Sequence, residues 1–256
     1  MFFRFLPFLS SLAFISAIIF TLFFYSHPHF WLILFLIGIT IFFLVKKTAG
    51  KFTDTLIPLL LVLGSLPVLS LMDTAIVRYV LIGLLALLFY FELLARGRLK
   101  DYPLDKTALP ILSTTNFIVF FIWSNLIFAS FINFSERIFP FWAMILVASL
   151  ISFVVSKDIL RHVFYPRADT SISKTEINLV SFVVALSMSE ITWSLAFYPL
   201  RYRSSAVILL SAFYLAFVSV MAFLTKEEKR VKLTKDIVIA LIAVVIVLVT
   251  SKWRYY

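Results

Sequence analysis

Nine stretches of the chain stay largely apolar for fifteen or more residues, and short polar segments separate them. They cover residues 8–25, 30–45, 56–72, 76–94, 111–131, 139–155, 177–198, 206–224 and 237–251. A helix rises 1.5 Å per residue, so about 20 residues cross the roughly 30 Å hydrocarbon layer of a bilayer. The pattern therefore predicts an all-α fold, a polytopic transmembrane helix bundle of about nine spans. The ninth stretch is short, but Lys235 and Lys252 flank it and their aliphatic stems can reach the interface. Pro58 and Pro67 lie in the third, which leaves that stretch open to a kink or a partly re-entrant course.

Composition agrees with this pattern. Hydrophobic residues make up 62% of the 256, charged residues 14%, and the mean hydropathy of +1.06 lies far outside the soluble range. Nine spans leave room for loops and tails only, so residues 1–256 are expected to form a single integral membrane domain. The first apolar stretch, behind Arg4, is longer than the core of a signal peptide and no clear small-x-small cleavage site follows it, so it is read as a retained span. Cysteine is absent, which excludes disulfides, thiolate metal sites and cysteine nucleophiles. No internal repeat is visible.

Charge then orients the bundle. Of the 23 Lys and Arg, seventeen fall on one set of alternate connections, from Arg4 through Lys46, Lys47, Arg96 and Lys157 to Lys235. The other set holds six: Arg78, Arg137, Arg201, Arg203, Lys252 and Arg254. The positive-inside rule predicts a cytoplasmic N-terminus and an external C-terminus in the cell membrane. The net charge of +10 is thus an orienting charge facing the lipid bilayer and gives no reason to expect nucleic acid. The longest connection, residues 156–176, holds Lys157, Asp158, Arg161, His162, Arg167 and Asp169, and reads as a basic loop on anionic headgroups.

Candidate chemistry centres on Glu190, a carboxylate inside the seventh stretch. Such a group at mid-span costs about 2.5–3.5 kcal/mol or more, so it is retained where something uses it or pairs with it. On the predicted orientation Asn125 of the fifth span shares its level, and Arg78 enters from just above. Ser187, Trp193, Ser194 and Phe197 stand three, three, four and seven residues from Glu190, hence on its face. One expectation is a polar pocket open to the outside, with Glu190 carrying a proton or binding a small-molecule or lipid ligand. The other is a structural Glu190 that ties helices together through Asn125, Arg78 or serine hydroxyls. Trp31, Trp142 and Trp253 near one boundary, with Trp123 and Trp193 deeper, fit interfacial anchors before they fit a headgroup cleft.

Other signals are thin. His27 and His29 share a turn with no further ligand nearby, so no metal and no cofactor is expected. Metalloprotease, phosphate-loop and nucleophile-elbow motifs are absent. None of the five glycines makes a Gly-x-x-x-Gly pair, which argues against packing through glycine and weakens a transporter built on broken helices. The reading that results is a non-enzymatic membrane protein, either binding or moving a small or amphipathic solute or acting as a scaffold. A membrane-embedded enzyme acting on lipid-linked substrate at an outward pocket is the alternative. Finally, Glu190-x-x-Trp193, Pro199, Tyr214, the basic link and a closing helix ending at Trp253 resemble the C-terminal part of a family of uncharacterised polytopic membrane proteins from candidate-phylum bacteria. That resemblance covers residues 187–254 and implies a membrane domain without assigning an activity.

Overall fold

The computed structural model describes residues 2–24, 30–50, 52–72, 74–102, 105, 107–133, 140–164, 172–198, 200–225 and 230–250. The turn with His27 and His29, and Arg137, Arg167, Asp169, Pro199, Lys252, Trp253 and Arg254, lie outside them. Among the described residues there are nine helices and no strand: α1 (Phe2–Phe24), α2 (Phe30–Ala49), α3 (Phe52–Ser70), α4 (Ala75–Asp101), α5 (Ala108–Asn133), α6 (Phe141–Phe164), α7 (Lys174–Ala196), α8 (Tyr202–Thr225) and α9 (Arg230–Thr250). Six of them, α3 to α8, are long and apolar enough to cross a membrane, and shorter apolar segments occupy Phe5–Phe20 and Ile237–Thr250. α3 is one continuous helix through both prolines.

The helices cluster into two compact units, Met1–Val119 and Phe120–Tyr256, with the boundary inside α5. In the first unit α1 packs on α2 and α4, and α2 packs on α3 and α4. Ala86 of α4 is small enough for close approach: Ser11 of α1 donates to its carbonyl at 3.0 Å, and beside it the Phe14 and Phe89 rings lie 5.0 Å apart. Farther along, Ala95 of α4 packs with Ala108 and Leu112 of α5. Gly50 ends α2 with φ +84, a left-handed conformation that glycine adopts without strain, and its N–H closes on the Lys46 carbonyl.

The second unit is built on α6 and α7, the most extensive helix pair among the described residues. Small residues are buried on both helices, Ala148, Ser152 and Ser156 on α6 and Ser181 and Ala185 on α7. Where lipid offers no hydrophobic drive between helices, small side chains gain contact by letting backbones approach. Alanine and serine do here what glycine does elsewhere. Two of the serine hydroxyls donate to their own helices, Ser152 to the Ala148 carbonyl and Ser181 to the Ile177 carbonyl. Leu160, Phe164 and Ile177 close one end of the pair, with Phe217, Val220, Met221 and Leu224 of α8 against them. On α5 and α8, Phe120 stacks on Phe213 with centroids 4.1 Å apart.

The outer faces are apolar too. α4 exposes Ile76, Tyr79, Val80, Leu84, Leu87 and Phe91, and α9 exposes Ile239, Leu241, Ile242, Val245, Ile246 and Val249. Exposed apolar area on this scale is unstable in water and stable in hydrocarbon, which is compatible with an integral membrane protein.

Candidate functional site: the outer face of α7

The phase of α7 decides where Glu190 points. Its buried positions are Ile177, Ser181, Val184, Ala185, Met188, Thr192 and Leu195, one stripe at helical spacing. Glu190 is two residues past Met188, about 200° around the helix, and it is exposed with Leu179, Phe182, Val183, Leu186, Trp193, Ser194 and Phe197. The expectation was a carboxylate shielded by neighbouring helices; among the described residues Glu190 lies on the exposed side of α7. Among the described residues its carboxylate makes no hydrogen bond and no ion pair, and its backbone carbonyl accepts from Ser194 Oγ at 3.0 Å.

The companions named from sequence divide. Trp193 and Ser194 share the exposed face, and Ser187 is half-buried beside it, donating to the Val183 carbonyl at 3.1 Å. Asn125 is buried and spends an amide hydrogen on the Phe121 carbonyl of its own helix at 2.9 Å. Arg78 is half-buried and donates from Nη2 to the Met72 carbonyl at 2.7 Å. Asn125 and Arg78 each close onto backbone near them in sequence.

An aromatic run borders the carboxylate. Trp193 meets Phe197 edge-on at 5.8 Å, Phe197 meets Phe141 of α6 at 5.6 Å, and Phe141 meets Phe131 of α5 at 5.9 Å. Trp142 is exposed next to Phe141. The face thus offers a carboxylate, a half-exposed indole and the edge of an aromatic cluster. Among the described residues of this face, the other polar members beside Glu190 are Ser187 and Ser194.

Sequence reasoning passed over the most deeply buried charges. Arg96 Nε donates to Glu92 Oε1 at 2.7 Å on α4, and both side chains are at most 1% exposed. The four-residue Glu–Arg spacing was the available signal. In α6 the buried Asp158 lies 3.6 Å from Arg161 Nη2 and 3.6 Å from His162 Nδ1, and that ring nitrogen is also 2.8 Å from the Asp158 carbonyl. These residues were assigned to a basic loop; α6 continues through them to Phe164, so they belong to a helix.

No protein-family model matches the chain, and neither the curated proteins nor the solved structures contain a match. The resemblance of residues 187–254 rests on its residue pattern alone.

Proposed function

We propose that the chain is a non-enzymatic integral membrane protein that works by binding another membrane component on the outer face of α7. It crosses the cell membrane nine times, with the N-terminus in the cytoplasm and the C-terminus outside. The observation that carries this reading is the exposed Glu190 carboxylate within an apolar helix. A carboxylate facing acyl chains costs about 2.5–3.5 kcal/mol or more at mid-span, and a partner that covers it removes that cost. A structural role inside the fold would need partners inside the fold, and Glu190 has none among the described residues. An enzyme would need a second reactive group on this face, and serines beside a tryptophan do not supply one.

Among the described residues the buried Glu92–Arg96 pair is a feature that favours transport, since charges within spans often line solute paths. Its two members also pair with each other one turn apart on α4, as a structural pair does. Glu190→Leu, expressed in place of the native chain, tests the binding reading. Normal abundance with loss of the native phenotype supports it. Normal abundance with an unchanged phenotype contradicts it, as does loss of the folded protein, which would make Glu190 structural.

A further inference from the structure

We infer that the occupant of the Glu190 face is a transmembrane helix of another protein carrying a lysine or arginine about 9 Å below the membrane edge. This inference rests on the binding reading and adds the chemistry of the partner. Six residues separate Glu190 from Ala196 at the end of α7, which places its Cα about 9 Å from that end. Helical side chains tilt toward the N-terminus. On α7 that tilt carries the carboxylate away from the nearer surface and deeper into hydrocarbon. A short glutamate stem cannot snorkel against it as a lysine or arginine stem can.

Depth and charge then separate the possible occupants. A lipid ammonium group lives in the headgroup layer and would have to sink about 9 Å to meet the carboxylate. A second copy related by a two-fold axis along the membrane normal would bring Glu190 against Glu190, placing like charges together. A basic side chain on a foreign helix satisfies both conditions, because intramembrane charges pair with one another and long basic stems reach across an interface. Trp193 and Phe197, exposed on the same face, give the cation aromatic surface beside the carboxylate. Val183, Leu186 and Leu179 continue the face as apolar contact for the rest of such a helix.

The test uses the full chain in phosphatidylcholine vesicles, with a donor dye on a single Thr175→Cys at the exposed first turn of α7. The probes are acceptor-labelled leucine helices: one with a lysine about 9 Å from one end, one with that lysine at the centre, and one of leucine only. Energy transfer should report at least tenfold tighter association for the off-centre lysine helix than for the leucine helix, with the central lysine between them. Glu190→Leu, which replaces a lipid-facing charge with a lipid-compatible side chain and so retains the fold, should abolish the difference. Equal association of all three helices overturns the inference, and so does a lysine preference that survives Glu190→Leu. Self-transfer between labelled chains that disappears in Glu190→Leu would give the face to a second copy and overturn it. Loss of the lysine preference when phosphatidylethanolamine is added would give it to a lipid ammonium and also overturn it. Any of these can occur while Glu190→Leu still abolishes the native phenotype, so failure here is distinguishable from failure of the binding reading.

Discussion

Breaking the Glu92–Arg96 pair should reveal how much of the first unit depends on a buried charge. The carboxylate is 0% exposed, Arg96 is 3% exposed, and their contact is 2.7 Å. Removing one member of a buried, hydrogen-bonded ion pair costs about 3–5 kcal/mol. Ordinary polar contacts between membrane helices average only about 0.6 kcal/mol, so the two cases are well separated. Glu92→Leu and Arg96→Leu should each lose about 3–5 kcal/mol, roughly a hundredfold to a few thousandfold in the folding equilibrium. The double variant should lose less than the sum of the two single losses, because both single variants remove this one contact. Unfolding in mixed micelles, followed by circular dichroism as the denaturing detergent fraction rises, measures all four proteins as a cycle. Single variants that lose less than about 1 kcal/mol, or a double variant whose loss equals the sum of the single losses, would refute the reasoning.

Further tests probe local structure. Ser173 caps α7 in a reciprocal box, its hydroxyl accepting from the Glu176 N–H at 3.1 Å while its own N–H donates to Glu176 Oε2 at 2.6 Å; Ser173→Ala should cost about 1 kcal/mol, seen as faster amide exchange in the first turn. Gly50→Ala meets both a φ of +84 and a Cβ only 3.4 Å from Lys100 Cε, and should destabilise by about 1 kcal/mol or more. Gly97→Ala, in helical backbone with its nearest new neighbour Thr48 Cγ2 at 3.8 Å, should instead stabilise by about 0.5–1 kcal/mol in the same unfolding assay. Asp105, between α4 and α5, is held below the usual carboxylate pKa by the Thr107 hydroxyl first and the Thr107 N–H second. With the folded pKa depressed, its contribution is present above the unfolded value of about 3.9 and fades as pH falls through the lower folded value. Thr107→Val should move the carboxyl titration, read by carbon NMR, upward toward the ordinary range; an unmoved midpoint would contradict this.

Each apolar stretch in the sequence corresponds to a helix, but the helices outrun them. The fourth stretch stops at residue 94 and the sixth at 155, whereas α4 continues to Asp101 and α6 to Phe164. Hydropathy marks what lipid tolerates, while backbone hydrogen bonding continues wherever polar side chains find partners. Glu92 with Arg96, and Asp158 with Arg161 and His162, find them one turn away. Depth along a helix was readable from residue numbers alone, and it put Asn125 and Glu190 at one level. Facing was not readable from depth. It was encoded in side-chain size: Ser181, Ala185 and Thr192 mark the packed side of α7, while Leu179, Phe182, Leu186 and Trp193 mark the outer one. Glu190 shares the phase of the large residues, which places it outward despite its charge.

A spin label answers the central question most directly. Attached at Glu190→Cys in the cysteine-free chain, reconstituted alone in vesicles, it should collide freely with oxygen and weakly with a water-soluble nickel chelate. That is the signature of a lipid-facing site, and a label at Met188→Cys, on the buried stripe, should be shielded from both. If position 190 is as shielded as position 188, the carboxylate is enclosed by the fold and the outer face of α7 is not where this protein meets its partner.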